Sequence, residues 1–350
     1  GAGELWLTRP LSFPHGGSSV AARALPYSSA LNDTHGTETA RVKLTTRADY
    51  LDRIGRVLRF VQEHLDEPLP PERLAAVAHL SRFHFHRIFS GIVGESLGEH
   101  VRRLRLERAA GELKRTDRAV IDIALDAGYD AHEPFTRAFG QHFGLAPARF
   151  RASAEPLAFP AVLCGVHYGT DEAISRFVPL QEGSHMIDVS IDTLPPRRLL
   201  GLAHHGDYQA IGQAFGRLIA LATEHGLMQA DTLSIGLYYH DPDVTPVSEL
   251  RSHACITVPA SMTTPLPGCE RLDLEGGEFA IGVHRGPYRE LHHSYRWLFG
   301  QWLPSSGRET ADAPACEIYV NDPLSTPEAA LVTHICVPLK PVAVGATAAR

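Results

Sequence analysis

The chain has 350 residues, 44% hydrophobic and 21% charged, which fits an ordinary globular protein and excludes a disordered or collagen-like one. At about 100–200 residues per domain, this length implies two or three domains. No stretch approaches the ~18 apolar residues of a membrane-spanning helix, which excludes an integral membrane protein of that kind. Five cysteines without a CxxC pair are too few for a disulfide scaffold and point to a reducing, cytoplasmic location. The chain opens at Gly1 rather than Met, as a processed or altered end would, and no charged-then-apolar leader follows.

The formal net charge of −7 is unevenly placed. Residues 47–152 hold 17 Lys+Arg, 16 of them arginine, against 15 Asp+Glu. Residues 188–340 hold 10 against 18. Arginine is the usual side chain for phosphate and guanine contacts, whereas the acidic half suits a different partner, a cation among them.

In chain order, residues 1–46 mix Gly, Pro, Ser and Thr without a period and are expected to be disordered. Residues 47–152 read as helical almost throughout. A connector follows over 153–187, with Pro156, Pro160, Pro179 and Gly183. Its apolar piece AVLCGV is a candidate strand. Residues 188–340 alternate short strands with helices, and 341–350 form an Ala-rich tail.

Two internal repeats organise this plan. In the helical part, Ala75 and Ala78 match Ala124 and Ala127, while Phe85, Arg87 and Phe89 match Phe135, Arg137 and Phe139. Each unit reads as helix, tight turn, helix. Ser81 and Asp130 are the expected N-caps of the second helices, and Gly94 and Gly144 their left-handed ends. Residues 96–116 read as one connecting helix with Val101, Leu104, Leu106, Ala109 and Leu113 on its apolar face. About 18 residues would span roughly 27 Å, near the ~34 Å between successive major-groove sites.

The second repeat fills the C-terminal half. HHGDYQAIGQAFGRL parallels HRGPYRELHHSYRWL, and YYHDPDVTPVSEL parallels YVNDPLSTPEAAL. Each unit reads as strand, helix, strand, strand, from RRLLGLAH to ACITVP and from EFAIGVHR to THICVP. The fold class is therefore two domains, an all-α double helix-turn-helix and an α+β domain of two strand-helix-strand-strand repeats. A cleft at the seam of the repeats is a natural ligand site.

The helical segment, ending in GYDAHEPFTRAFGQHFGLAPARFR, resembles the DNA-binding domain of the AraC/XylS regulators. The C-terminal half resembles the GyrI-like effector-binding domain, with H-x-G-x-Y and x-D-P-x-x-T-P each present twice. The resemblance implies a cytoplasmic transcription regulator that binds promoter DNA, takes a small cationic or amphipathic effector and contacts RNA polymerase. It implies no enzyme activity in the DNA-binding half, while some GyrI-like domains resemble hydrolases, which leaves that activity open for the C-terminal half.

Helical spacing in the first recognition helix puts Phe85, Ile88 and Phe89 on an inner face and Phe83, His86 and Arg87 on an outer one. Matched to the family motif, the outer three are base-facing. Arg87 suits guanine, His86 can donate or accept, and Phe83 suits a thymine methyl. The alternatives are a solvated or phosphate-bound arginine and a satellite core aromatic. The matching positions of the second helix are His132, Glu133 and Arg137. Glu133 suits cytosine N4 but equally the helix dipole of a first turn. The resemblance gives this helix the smaller share of base reading.

In the acidic half, Glu317 stands where the other repeat has Gly236. CEIYV alternates Cys316, Ile318 and Val320 with Glu317 and Tyr319. A carboxylate facing a cleft needs a cation, hydrogen bonds or a proton. In GyrI-like domains a glutamate here looks like the anchor for cationic ligands, and Tyr238, Tyr288, Tyr295, Trp297 and Tyr319 can supply cation–π faces. The alternative is an exposed strand glutamate among core tyrosines. A hydrolase reading makes Glu317 a general base oriented by Tyr288 or Tyr319. A third reading makes this half an interaction module without a ligand.

The chain has 20 histidines. The close sets His84/His86, His204/His205 and His292/His293 lack zinc-site spacing, and no Gly-rich phosphate loop is present. Neither a metal nor another cofactor is expected.

Overall fold

The computed structural model describes residues 36–169, 177–181, 186–240, 242 and 245–342, with side chains from Thr46 onward. Helix α1 (Gly36–Glu63) begins inside the segment expected to be disordered; no proline lies between Pro26 and Pro68 to stop it. The rest of that segment, residues 1–35, and the tail after Val342 lie outside the described residues.

Tyr50, Ile54, Val57, Leu58 and Val61 recur at helical spacing and bury one face of α1. The first helix-turn-helix follows as α2 (Pro71–Ala78) and α3 (Phe85–Val93). The connecting helix α4 (Leu97–Arg115) starts on a capping box formed by Ser96 and Glu99. The second unit is α5 (Val120–Asp126) and α6 (His132–Phe143), closed by α7 (Pro147–Ala152). Gly94 and Gly144 end α3 and α6 with φ of 88° and 73°, the left-handed termination expected of glycine.

The expected N-caps are displaced. Ser81 closes a separate turn: its Oγ accepts from the Phe83 amide and its carbonyl from the His84 and Phe85 amides. His84, not Ser81, precedes α3. Ala131, not Asp130, precedes α6. Pro134 occupies the third helical position there and has no N–H for a cap to bind.

The two units differ in how their cores close. Phe135, Phe139, Ile123, Leu106 and Phe150 make a self-contained core in the second. The core of the first, around Leu58, Leu74, Ile88 and Phe89, runs directly into the C-terminal half through Leu298, Phe299, Leu303 and Ile335.

The C-terminal half is an eight-stranded antiparallel sheet. Its strands are β1 (Asp188–Leu194), β2 (Arg197–His205), β3 (Ser234–Tyr238), β4 (Arg251–Val258), β5 (Glu270–Leu274), β6 (Gly277–Arg285), β7 (Cys316–Tyr319) and β8 (Val332–Pro338). Their order is β1-β6-β8-β7-β3-β4-β2-β5. Helices α8 (Gly212–Glu224) and α9 (Leu291–Trp297) belong one to each repeat, and α9 continues into a π-helical turn, Leu298–Trp302.

Each repeat carries one strand more than its sequence suggests. β1 and β5 precede the expected units and cross to the other repeat, β1 pairing with β6 and β5 with β2. Both are sheet-edge strands with largely exposed side chains, so their apolar alternation is faint.

The connector AVLCGV forms no strand. Cys164 and Val166 are buried instead, and the Val166 carbonyl accepts from Arg103 of α4. Residues 170–176 and 182–185 of the connector lie outside the described residues.

Candidate functional site

Strands β3 and β7 meet at the centre of the sheet. Gly236 is the register partner of Glu317. Alternation along β7 turns Glu317 and Tyr319 toward the helix-bearing face, as expected of a period-2 strand. Glu317 is 5% exposed. Tyr295 of α9 donates to its Oε1 at 2.9 Å, and Tyr319 donates to its Oε2 at 2.8 Å. The Tyr238 and Tyr319 hydroxyls are 2.6 Å apart. Burial pushes the Glu317 carboxyl above its ordinary range, although the Tyr319 and Tyr295 hydrogen bonds and the nearby Arg87 charge pull the other way.

Gly236 gives the tyrosines their room. A Cβ there would lie 2.7 Å from Tyr238 Cε2 and 3.0 Å from the Tyr319 hydroxyl. Tyr288 meets Tyr319 edge-on at 5.3 Å, and burial with the Glu317 charge pushes its hydroxyl up to about 12. Phe215 of α8 also meets Tyr319 edge-on, and Tyr208 meets Tyr238. Phe215 and Tyr208 were not among the expected residues. Their only sequence signal is their place in the repeated helix segment.

The structure thus gathers Glu317 with Tyr238, Tyr288, Tyr295 and Tyr319. Trp297 stands apart. It lies two residues after Tyr295 on α9, which turns it ~200° away around the helix.

The largest departure concerns the first recognition helix. His86 is 7% exposed and Arg87 is half-buried, so neither lies on an open outer face. α3 packs against α9 and its π-helical turn. A methyl on Gly91 would stand 2.7 Å from the Gly300 nitrogen. The Arg87 guanidinium lies 4.2 Å from the centroid of the Tyr295 ring and 5.8 Å from that of Phe299. What spacing presents as an outward polar face is the seam with the C-terminal half, because the aromatic stripe of α9 covers it.

Other groups fix this seam. His84 Nε2 is 2.9 Å from the Ala313 carbonyl, and burial and the Arg87 charge push His84 down to about 3. Ser81 donates to Asp312 at 3.0 Å, and Arg53 to Glu309 at 2.7 Å. Phe83 is half-buried, with Arg82 stacked on its ring at 4.7 Å. On the second recognition helix, by contrast, His132, Glu133 and Arg137 are all exposed.

Glu95, His100 and Cys164 bring three metal-ligand atoms within 4.8 Å of one another. The Arg103 guanidinium already occupies that space. It donates to Glu95 at 2.5 Å and to Glu107 at 2.9 Å, and lies 3.1 Å from His100 Nδ1. A second cation there would meet strong repulsion, so the donor set fits a metal poorly.

Tandem helix-turn-helix units joined to a pseudo-symmetric domain with a buried carboxylate define a helix-turn-helix protein carrying a small-molecule-binding domain. Residues 74–153 match the helix-turn-helix domain family, and residues 187–340 the GyrI-like small molecule binding domain. Over 98 residues the chain is 35% identical to the regulatory protein SoxS of Salmonella typhimurium, which covers 28% of this chain and 92% of SoxS. It is 39% identical over 106 residues to the transcriptional regulator Rob of the same organism, 30% of this chain and 37% of Rob. The chain thus matches little more than a third of Rob's length. Among solved structures, the C-terminal domain of EcmrR aligns over 45% of this chain and 100% of that one, at 18% identity and a TM-score of 0.39. The chain belongs to the AraC/XylS family of transcription regulators, with a GyrI-like domain at its C-terminal end.

Proposed function

We propose that the protein is a promoter-binding regulator whose C-terminal half takes a small organic cation at Glu317. The observation that carries the effector reading is one carboxylate, almost fully buried, with both oxygens bound by tyrosine hydroxyls and aromatic faces around it. A buried negative charge whose hydrogen-bond donors are neutral calls for a cation nearby, a place that Arg87 holds in this structure. An organic cation among tyrosines would supply the charge and lose little hydration on burial.

For DNA, the exposed α6 supports reading by Arg137, with His132 and Glu133 beside it. Phe83, His86 and Arg87 would read DNA only in an arrangement that frees α3. RNA polymerase is a further partner on this reading, because the family consists of transcription regulators. Sensing fits better than hydrolysis, since Glu317 is buried with a tyrosine hydroxyl on each oxygen, which leaves little space beside it for an attacking water.

The test has two arms. Full-length protein is first used to select binding sequences from a random duplex pool, and a failure to enrich any sequence removes the regulator reading. Benzyltriethylammonium is then titrated against wild type and Glu317→Gln. Equal binding to both removes the effector reading.

A further inference from the structure

We propose that Arg87 is a built-in occupant of the Glu317 cage, so that a cationic effector and the guanidinium of the first recognition helix compete for one site. This rests on the effector reading above and gives it a coupling mechanism.

The geometry forms a chain of three groups. Glu317 accepts from the Tyr295 hydroxyl at 2.9 Å. The Tyr295 ring carries the Arg87 guanidinium on its face, 4.2 Å from the centroid. Phe299, one turn further along, stacks parallel to Tyr295, at 2° between ring planes, and lies within 5.8 Å of the same guanidinium. A phenol donating to a carboxylate becomes more electron-rich, and that strengthens its attraction for a cation on its face. Arg87 therefore makes the contacts that an organic cation would make.

Its position follows from the fold. α3 crosses the π-helical turn that continues α9 at Gly91 and Gly300, where neither position has room for a side chain. This close crossing carries the arginine of one domain to the aromatic stripe of the other. Two cavities of about 520 and 480 Å³ lie elsewhere, one lined by Glu72, His240 and Arg251 and the other by Arg102, Arg105 and Tyr129. Neither includes Glu317.

Two cations within one cage repel each other, so an effector on the Tyr295 face must turn Arg87 out. The coupling is reciprocal. Whatever draws Arg87 to a phosphate or a guanine leaves the cage open for the effector, and an occupied cage makes Arg87 available. The effector shifts this balance only by its own differential affinity. Entry of the effector therefore requires the movement of one side chain, whereas contact of Arg87 with DNA also requires the arrangement that frees α3.

Isothermal titration of benzyltriethylammonium into full-length wild type, Arg87→Met, Arg87→Lys and Glu317→Gln tests this. Arg87→Met is expected to bind at least about tenfold more tightly than wild type, because the internal competitor has gone. Arg87→Lys, which keeps a cation, is expected to stay within about threefold of wild type. Glu317→Gln is expected to lose binding. If Arg87→Met binds like wild type or more weakly while Glu317→Gln loses binding, the cage stands and the competition is wrong. Competition is equally overturned if Arg87→Lys binds as tightly as Arg87→Met. Equal binding by wild type and Glu317→Gln, or no binding by any of the four, overturns the cage itself. Thermal unfolding of each variant separates a lost site from a lost fold.

Discussion

Gly236 and Glu317 are symmetry mates of the internal repeat, and they are also direct register partners across β3 and β7. The pseudo-two-fold axis of the sheet therefore passes between them. Opposite positions on neighbouring antiparallel strands put their Cβ atoms about 4.5–5.5 Å apart. Two glutamates there would set two buried carboxylates against each other. A single charge at this place requires the repeats to differ, and they differ as glycine against glutamate.

Gly236→Ala should collapse the cage. Its Cβ would lie 2.7 Å from Tyr238 Cε2, which forces the ring away from Tyr319. Overpacking of this kind costs about 1–3 kcal/mol. Urea unfolding should show that loss, together with loss of benzyltriethylammonium binding. A variant as stable as wild type that still binds would show that the rings adjust freely.

Glu317 should make stability fall with rising pH. Its folded-state pKa lies above the ordinary carboxylate value because burial disfavours the charge. The folded protein thus holds this proton more tightly than the unfolded chain does. That contribution is complete below the unfolded pKa and is lost as pH rises through the folded one. Glu317→Gln stays neutral throughout, so it should be the more stable protein at pH 7, and its advantage should shrink toward pH 4. Melting curves across that range check the sign. A constant offset at every pH would contradict it.

Arg103→Met should destabilise the helical part strongly. Arg103 bonds Glu95, the fully buried Glu107 and the Val166 carbonyl. Removing one partner of such a set costs about 3–5 kcal/mol, because the remaining charges stay buried. Glu95 adds a pH signature. Burial works to raise its carboxyl, but the His100 and Arg103 hydrogen bonds overcome this and hold it down to about 2. Its contribution is present above the unfolded carboxylate pKa and disappears as pH falls toward 2. Guanidinium unfolding at pH 7 and pH 3 should show a smaller gap between variant and wild type at the lower pH.

Arg137→Ala should reduce specific DNA binding more than nonspecific binding. A bidentate guanine contact is worth about 1–3 kcal/mol of discrimination. Arg149→Ala, at an exposed position of α7, should weaken binding to all sequences alike and lower the salt dependence, as loss of a phosphate contact does. Gel-shift titrations at two salt concentrations on selected and scrambled duplexes distinguish the two. Equal losses in both variants would reduce Arg137 to a phosphate contact.

Periodicity and repetition are enough to read much of this protein from its residues. The 49–50-residue spacing of Ala, Phe and Arg marks the two helix-turn-helix units. Gly94 and Gly144 mark the ends of α3 and α6, because a left-handed turn leaves little other choice. Glu317 stands out for breaking a repeat. Local chemistry and repetition along the chain determine all of these, so they are visible in the sequence.

Other features depend on which surfaces meet, and only the tertiary structure decides that. The helical period separates two faces of α3, but a half-polar face carrying His86 and Arg87 suits a domain seam as well as a DNA groove. It becomes a seam because α9 and its π-helical turn bring Tyr295 and Phe299 against it and because Gly91 and Gly300 let the two backbones approach. Likewise, β1 and β5 are legible as strands only through the partners they cross over to reach. Long-range pairing leaves little trace in sequence, since each segment's local pattern is compatible with several neighbours and burial on folding selects one.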